Sequence, residues 1–342
     1  MTLINDLFQP ELAVVPQEAL VSASKKTAST EKNMAYIRSP INYTGNKYRL
    51  LGQLRKFLPQ KTGVFVDLFC GGATVGFNVN AKKVILIDNN KYVIELLKYL
   101  AKTNFSEIIS SIENIIYEYN LSYSAKHSYS YYKKQGFVNG NNGLKEYNKE
   151  GFYRLREDFN RLKYKFTKKG MCMLYSLMVY GFNNDLRFNN KGEYNLPIGK
   201  TDFNKNNIRK LYAFSKRARE INYEFICGDF RDKTRDIIMN ADFVYADPPY
   251  LITTAVYNEN GGWNQDLEID LLRLLEDLEK KKKRFTLSNV LFKDGAVNQH
   301  LRGWIKKNKN ITAHRLNYHY RSSSYNKKNR GAGEAEVVVV NG

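Results

Sequence analysis

Two short apolar segments, one followed by glycines and one ending in an aspartate, most constrain the fold of this chain. The first is Val64–Phe69, which is followed by Gly71 and Gly72, and the second is Val84–Asp88. Apolar runs of this length are typical of strands that are buried on both faces of a parallel sheet. We expect the glycines to make a tight turn that leads into a helix from about Ala73.

The rest of the chain continues this alternation, which predicts an α/β fold with a doubly wound, mostly parallel sheet. Further strands are expected at 223–226, 243–246, 284–288, 311–320 and 336–340. Helices are expected at 92–100, 106–119, 153–163, 169–180 and 266–283. Most of 122–150, rich in Tyr, Lys, Asn and Gly, is expected to be a flexible loop. The segment 182–199 is expected to form a hairpin or an ordered loop.

This pattern divides the chain into three parts. Residues 35–100 and 221–342 are expected to form one domain built on the sheet, and 101–220 a basic, largely helical insert. Residues 1–34 are nearly neutral and rich in Ser, Thr and Ala, so we expect a weakly ordered or peripheral extension.

The net charge predicts a polyanionic partner. The chain has 54 Lys and Arg residues against 34 Asp and Glu residues, a formal charge of +20. Residues 121–220, which make up most of the insert, hold 21 basic and 8 acidic residues, a net charge of +13. An imbalance of this size in a chain with 13% aromatic residues suits a surface that meets both phosphates and bases.

The sequence does not predict a metal site, a disulfide framework or a membrane segment. Cys70, Cys172 and Cys227 are scattered, and the four histidines lack the spacing of metal ligands. The N-terminus lacks the features of a signal peptide, and no apolar run approaches the length of a membrane span. We therefore expect a cytoplasmic protein, associated with the nucleoid if its polyanionic partner is DNA.

The strand expected at 243–246 runs directly into Asp247-Pro248-Pro249-Tyr250, whose parts suit chemistry on an amino group. A short acid accepts a hydrogen bond from an NH₂ group, and two prolines leave carbonyl acceptors without competing N–H donors. The tyrosine supplies a flat face on which an extruded base can lie. Taken alone, the tetrapeptide is also compatible with an ordinary tight turn.

The glycine turn after the first strand predicts a site for a nucleoside cofactor. Within Asp67–Gly76 the glycines let a ligand approach the backbone, and Asp88 can accept hydrogen bonds from ribose hydroxyls. The spacing Gly-Gly-x-x-x-Gly does not match the Gly-x-Gly-x-x-Gly of nicotinamide-binding domains, which disfavours an oxidoreductase. Tyr43–Lys47 and Gly228–Phe230 are weaker signals, and each is also compatible with a plain loop.

In their order along the chain, these motifs resemble those of the Dam-like (α-group) DNA adenine-N6 methyltransferases. The resemblance covers roughly 38–342 and includes Tyr-x-Gly-x-Lys, Asp-x-Phe-x-Gly-Gly, the aspartate after the second strand and Asp-Pro-Pro-Tyr. In the insert, Tyr153–Asn160 is similar to the family's Arg-Glu-x-Phe-Asn helix, and Phe182–Gly199 to its target-recognition segment. Three further segments are similar to its closing motifs: Leu287–Asn289, Tyr320–Ser324 and Glu336–Val339.

The resemblance implies S-adenosylmethionine as the methyl donor and makes the sheet-containing domain catalytic. Tyr43 and Lys47 would close the methionine end of the cofactor, Asp88 would hold its ribose, and Phe230 would border its adenine. The other residues implied to bind the cofactor are Asp67, Phe69, Gly71, Gly72, Asp229 and Asp247.

The same resemblance assigns the target base to Asp247–Tyr250, which is called the proline turn below. A flipped adenine would stack on Tyr250, while Asp247 and the Pro248 carbonyl accept from its N6 amino group. Pro249 would complete the rigid turn. No metal is implied.

The implied partner is double-stranded DNA, with the insert as the target-recognition domain. Arg187 is predicted to read a guanine, because a guanidinium fits O6 and N7 in the major groove, although a phosphate clamp is equally compatible. The other implied DNA contacts are Asn184, Asn189, Pro197, Arg321 and Ser323. A restriction endonuclease that acts on the same site is the second partner that the resemblance suggests.

Two departures from the family pattern leave the target sequence open. The chain has Asn42-Tyr43 where the best-known members have Lys-Trp, and Asn184–Leu186 differs from their Gly-Leu-x. GATC is therefore the favoured target, with other short adenine-containing sites as alternatives. A cytosine-N4 methyltransferase and a DNA-binding relative without catalysis are the alternative functions.

Overall fold

The computed structural model describes residues 36–252, 262–316 and 335–342. The predictions for the extension 1–34, for the motif Tyr320–Ser324 and for its members Arg321 and Ser323 therefore lie outside the described residues.

A mostly parallel sheet forms the centre of the protein, as predicted. Its strands are β1 (Thr62–Leu68), β2 (Ala81–Asp88), β3 (Tyr223–Cys227), β4 (Phe243–Ala246), β5 (Arg284–Lys293), β6 (Ala296–Val297), β7 (Ile311–Arg315) and β8 (Ala335–Asn341). The strand order is β3-β2-β1-β4-β5-β8-β7, and β6 pairs with β5. The first five strands in this order run parallel, whereas β8 is antiparallel to both β5 and β7. The winding reverses between β1 and β4, which is where parallel sheets of this kind bind ligands.

Eleven helices accompany the sheet in the described residues. They are α1 (Leu51–Leu54), α2 (Lys91–Lys102), α3 (Phe105–Glu118), α4 (Ser124–His127), α5 (Tyr129–Lys134), α6 (Lys145–Arg161), α7 (Lys168–Tyr180), α8 (Lys205–Glu220), α9 (Thr234–Met239), α10 (Gln265–Lys280) and α11 (Gln299–Lys307). The five predicted helices correspond to α2, α3, α6, α7 and α10. Helix α8 was not predicted, although its buried Leu211, Phe214 and Ala218 recur at helical spacing.

The helix predicted to begin at about Ala73 is wrong. A turn is followed there by a short 3₁₀ helix, Gly76–Asn78. Phe69 and Ala73 have φ angles of 63° and 57°, in the left-handed region that a right-handed helix cannot include. The chain therefore winds back on itself, and the Gly76 N–H donates to the Asp67 carboxylate at 2.7 Å.

The flexible loop expected for most of 122–150 is also wrong, because α4, α5 and the start of α6 occupy it. Buried polar contacts order the segment. The Tyr132 hydroxyl accepts a hydrogen bond from the Tyr123 N–H at 2.7 Å. The Asp202 carboxylate accepts from the Ser124 N–H and hydroxyl at 2.7 and 2.6 Å. The composition of a segment does not predict such hydrogen bonds between residues that are distant in sequence.

Each face of the sheet packs against its own hydrophobic core. Along β1, Phe65 lies in one core and Val66 in the other. Helices α2, α7 and α8 contribute to the first core, together with Tyr194 and Leu196 from the predicted hairpin. Helices α10 and α11 contribute to the second core. The basic insert therefore covers one face of the sheet only.

Candidate active site

A cavity of about 480 Å³ lies at the carboxyl ends of β1, β2 and β4, where the winding reverses. All of the predicted cofactor and catalytic residues line it. They are Tyr43, Lys47, Asp67, Phe69, Gly71, Gly72, Asp88, Asp229, Phe230, Asp247, Pro248, Pro249 and Tyr250. The parallel strands bring together residues that are up to about two hundred positions apart in sequence, because their carboxyl ends meet at one edge.

Glycines form the floor of the cavity at places where no side chain fits. Gly71 has a φ of 45°, and a Cβ there would lie 2.6 Å from the Tyr43 ring. A Cβ on Gly72 would lie 2.9 Å from the Ser39 hydroxyl. The turn therefore requires glycine both for its backbone conformation and for the close approach of Tyr43.

Asp88 fixes the glycine turn from the neighbouring strand. One carboxylate oxygen accepts from the Gly71 N–H at 2.9 Å, and the other accepts from the Asn90 N–H at 2.8 Å. The carboxylate lines the cavity and each oxygen has further lone pairs, so it can still accept from a hydroxyl of a ligand.

Three aromatic rings enclose another part of the cavity. The Phe69 ring lies 5.5 Å from Phe230 and 5.3 Å from Trp263, edge to face in both cases. The buried Glu268 orients Trp263 by accepting from its indole N–H at 2.6 Å. Flat apolar walls of this kind suit a heteroaromatic ring.

Asp229 lines the cavity but is held by a neighbour. The Arg231 guanidinium donates to both of its carboxylate oxygens, at 2.9 and 2.8 Å. These hydrogen bonds hold the pKa of Asp229 below its usual range.

The proline turn extends from β4 into the other end of the cavity. The Lys47 ammonium lies 2.8 Å from Asp247 Oδ2 and 3.6 Å from Glu336 Oε1. The Tyr250 hydroxyl donates to Asp247 Oδ1 at 3.2 Å and to Glu336 Oε1 at 3.0 Å. The half-buried Tyr250 ring also faces the Lys47 ammonium, at 5.1 Å from its centroid. Lys47, expected at the methionine end of a cofactor, here bridges two carboxylates.

Burial raises the pKa of three carboxyl groups around the cavity, those of Asp67, Asp88 and Asp247. For Asp247 the nearby Lys47 ammonium opposes this effect, and for Asp88 the backbone N–H donors oppose it. These acids share the site with the Lys47 ammonium.

Residues 182–199, predicted as a hairpin or an ordered loop, form an ordered loop closed by isolated antiparallel bridges, called the hairpin below, which presents Arg187 to solvent. Backbone bridges join Gly181 to Ile198 and Phe188 to Tyr194. Asn195, which was not predicted to have a role, accepts from Arg187 Nε with its side chain at 2.9 Å. This contact orients the guanidinium on an exposed surface.

The other predicted DNA residues of the hairpin differ in their surroundings. Pro197 is exposed. The Asn184 amide donates to the Val179 carbonyl at 2.5 Å, and the Asn189 amide donates to Glu193 at 2.7 Å. The Asn184 amide also donates to the Thr201 hydroxyl at 2.9 Å, so a direct contact of this amide with a base would replace an internal bond.

The hairpin is attached to the rim of the cavity. The Asn42 amide donates to the Asn183 carbonyl at 2.9 Å, and the Thr44 hydroxyl donates to the Asp185 carboxylate at 3.3 Å. The loop before β1 therefore lines the cavity on one side and touches the hairpin on the other.

Three buried or nearly buried residues of the site were not assigned a role from the sequence: Glu336, Trp263 and Glu268. An acid directly before the apolar run of β8 was the available signal for Glu336, because charged side chains are rarely buried without a partner. No local pattern marks Trp263 or Glu268, whose positions depend on the tertiary fold.

The model of the D12 class N6 adenine-specific DNA methyltransferase family matches residues 43–322. The chain belongs to this family. The match includes the glycine turn, the hairpin and the proline turn, and it ends before β8. The resemblance seen in the motifs is thereby confirmed.

Curated relatives agree with this membership. The chain is similar to the Type II methyltransferase M.FokI of Planomicrobium okeanokoites, with 38% identity over 341 residues, which are 98% of this chain and 47% of that protein. It is 33% identical to the modification methylase StsI of Streptococcus sanguinis over 92% of this chain and 44% of that protein. It is 27% identical to the DNA adenine methylase of Escherichia coli (strain K12) over 76% of this chain and 81% of that protein. The chain thus spans about half the length of the first two.

The described residues contain neither a membrane span nor a metal-binding cluster. None of their helices has the length and apolar character needed to cross a bilayer. Within 36–252, 262–316 and 335–342, no group of three or more His, Cys, Asp or Glu side chains is arranged to hold a metal ion.

Proposed function

We propose that this protein is a site-specific DNA adenine-N6 methyltransferase that uses S-adenosylmethionine and acts in the cytoplasm on nucleoid DNA. The observation that carries the proposal is the position of Asp247-Pro248-Pro249-Tyr250, which lines the same cavity as the glycine turn. An acceptor for an amino group and a platform for a base are thus next to a space for a nucleoside cofactor.

The residues around the cavity fit this cofactor. The volume of the cavity, about 480 Å³, is in the range of small-molecule sites. We propose that Asp88 accepts from the ribose and that the Phe69, Phe230 and Trp263 rings contact the adenine. When bound, the cofactor supplies a methyl group on a positively charged sulfur.

The chemical role of the protein is then to orient the target amino group. Tyr250 stacks on the extruded adenine, while Asp247 and the Pro248 carbonyl accept from the two N6 hydrogens. The two hydrogen bonds, to Asp247 and to the Pro248 carbonyl, direct the nitrogen lone pair toward the methyl donor. They also stabilise the positive charge that develops on nitrogen. Pro249 limits the freedom of the turn, because its ring fixes φ.

We further propose that the chain divides into a catalytic part, 35–100 and 221–342, and a target-recognition part, 101–220. The recognition part lies on one face of the sheet, and its hairpin touches the rim of the cavity through Thr44 and Asp185. A base extruded from DNA bound by the hairpin would then have a short path to Tyr250. GATC is the target that the motif resemblance favours.

The direct test is incubation with labelled S-adenosylmethionine and unmethylated genomic DNA, followed by nucleoside analysis and mapping of modified positions. Label in N6-methyladenine at one short motif is the expected result, and the motif gives the recognition sequence. Label on cytosine N4 would contradict the adenine assignment. An absence of label with intact cofactor binding would favour a DNA-binding relative.

Replacement of Arg187 by alanine is expected to remove discrimination at one base pair. A guanidinium that reads a guanine contributes about 10- to 100-fold of selectivity, equal to roughly 1–3 kcal/mol. The measurement is the methylation rate on duplexes that carry each substitution in the mapped motif. Arg273→Ala, an exposed arginine of α10 on the opposite face of the sheet, is the control. A uniform loss over all sequences would show a phosphate contact instead.

The segment 161–169 is expected to bind DNA phosphates beside the hairpin. It contains five basic and no acidic residues, with Tyr164 68% exposed. Its Phe166 ring lies 5.3 Å from Tyr92, whose ring stacks on Phe188 of the hairpin at 3.7 Å. The lysines of the segment are therefore continuous with the proposed recognition surface.

The triple variant Lys163→Ala, Lys165→Ala, Lys169→Ala tests this expectation. The logarithm of the association constant for DNA falls linearly with the logarithm of the salt concentration. The magnitude of this slope is expected to decrease by about 0.9 for each DNA phosphate that the variant no longer neutralises. Changing Lys306, Lys307 and Lys309 to alanine is the matched control, because α11 packs on the other face of the sheet. Equal slopes for the two triple variants would refute a role for 161–169. Fluorescence anisotropy of a labelled duplex at several salt concentrations provides the measurement.

A restriction endonuclease with the same recognition sequence is the proposed second partner. Two of the relatives are named a Type II methyltransferase and a modification methylase, which supports this assignment. Protection of DNA against a candidate endonuclease after methylation by this protein would test it.

A further inference from the structure

Glu336 is a buried acid that the proposed chemistry does not use, although it contacts two groups of the site. It belongs to β8, far from the proline turn in sequence, and its side chain is 2% exposed. Its Oε1 accepts from the Tyr250 hydroxyl at 3.0 Å and lies 3.6 Å from the Lys47 ammonium, which is 3% exposed. A charge buried to this extent is costly unless it is paired, so these contacts account for its presence.

The same two groups contact both oxygens of Asp247. Lys47 lies 2.8 Å from Oδ2, and the Tyr250 hydroxyl donates to Oδ1 at 3.2 Å. An incoming amino group that donates to Asp247 shares these oxygens with Lys47 and the Tyr250 hydroxyl, which draw on the same negative charge and so weaken the acceptor. Glu336 is within reach of both Lys47 and Tyr250, so it can retain them while Asp247 accepts from the substrate.

We propose that Glu336 is a positioning residue for methyl transfer, which takes up Lys47 and the Tyr250 hydroxyl and so releases Asp247 to the target amino group. This inference rests on the proposed function. Charge balance supports it, because Lys47 and Glu336 form a neutral pair after the release. Asp247 then keeps its negative charge next to the nitrogen on which positive charge develops.

Glu336→Gln tests the inference, since glutamine has nearly the same shape without the charge. Lys47 then loses the attraction of the Glu336 charge, so it stays on Asp247 and competes with the substrate. We expect kcat to fall about 10- to 100-fold, because a small misplacement of a reacting group can cost about 100-fold in rate. The KM values for DNA and S-adenosylmethionine should stay within about threefold, because Glu336 contacts neither. Glu336→Asp, which keeps the charge, should recover part of kcat.

The pH profile separates positioning from a purely structural effect. Within the described residues, Asp247 interacts with Lys47, Tyr250, Asp67 and Tyr245, and Glu336 reaches this set through Lys47 and Tyr250. Glu336→Gln removes a negative charge from this set and strengthens the contact of Lys47 with Asp247. Both changes lower the pKa of Asp247, so the acid limb of kcat is expected to move to lower pH.

Asp202→Asn is the matched control, because Asp202 is also a buried acid but lies away from the cavity and supports the fold through Ser122 and Ser124. It should lower the thermal midpoint and leave the acid limb in place. The inference is overturned if kcat of Glu336→Gln stays within about threefold of the wild type. It is equally overturned if the fall in kcat is matched by a lower midpoint of thermal unfolding and the acid limb of the pH profile of kcat does not move. A wild type that does not methylate adenine would refute the proposed function, and this inference with it.

Discussion

Asp247→Ala is expected to abolish methyl transfer while the protein still binds S-adenosylmethionine and DNA. The substitution removes the carboxylate that accepts from the target amino group, so stabilisation of the transition state is lost and kcat should fall about 100- to 1,000-fold. The fold should tolerate the change, because Lys47 retains Glu336 as a counter-ion at 3.6 Å. Single-turnover transfer of labelled methyl groups measures the loss, and calorimetry measures the binding of S-adenosylmethionine.

Asp242→Ala is the control for this variant. Asp242 lies directly before β4, whereas Asp247 lies directly after it. The Asp242 carboxylate accepts from the Val64 N–H at 2.7 Å. Its removal should cost about 1 kcal/mol of stability, as for a typical hydrogen bond, and should leave kcat unchanged. If Asp247→Ala turned over as fast as Asp242→Ala, the assigned role of Asp247 would be wrong.

Gly71→Ala is expected to weaken the binding of S-adenosylmethionine about 10- to 100-fold. The new Cβ would lie 2.6 Å from the Tyr43 ring, on a backbone with a φ of 45°. A non-glycine residue in this conformation costs about 1–2 kcal/mol, and displacement of Tyr43 adds to that cost. The turn would then shift, and with it the N–H that donates to Asp88. Calorimetric titration gives the dissociation constant.

Gly52→Ala serves as the comparison, because no atom lies within 4 Å of a Cβ placed there. It lies in α1, where alanine is the better helix former, so stability should rise slightly and cofactor affinity should not change. An affinity of Gly71→Ala equal to that of Gly52→Ala would mean that the glycine turn does not support the cofactor.

The predictable part of the site consists of residues next to strand ends. Asp88 and Asp247 were identified because each follows an apolar run, and the carboxyl ends of parallel strands meet at one edge of a sheet. Gly71 and Gly72 were identified because a tight turn before a ligand requires glycine. The helix expected after them was wrong, because the left-handed Ala73 and the bond from the Gly76 N–H to Asp67 give a wound turn instead.

The unpredicted part depends on contacts between distant segments. Glu336 reaches Lys47 because β8 inserts between β5 and β7, a topology that no local pattern specifies. Asn195 holds Arg187 only because the hairpin brings the two together. The order in 122–150 likewise depends on the distant Asp202.

The sequence by itself determined the α/β class, the strand ends that line the cavity, and membership of an adenine-N6 methyltransferase family. These follow from apolar periodicity and from short motifs, which act over a few residues. Only the tertiary structure decided which charges pair inside the cavity and which face of the sheet carries the hairpin. The physical reason is burial. A charged group removed from water is costly unless it is paired, and the fold determines which partner lies within reach.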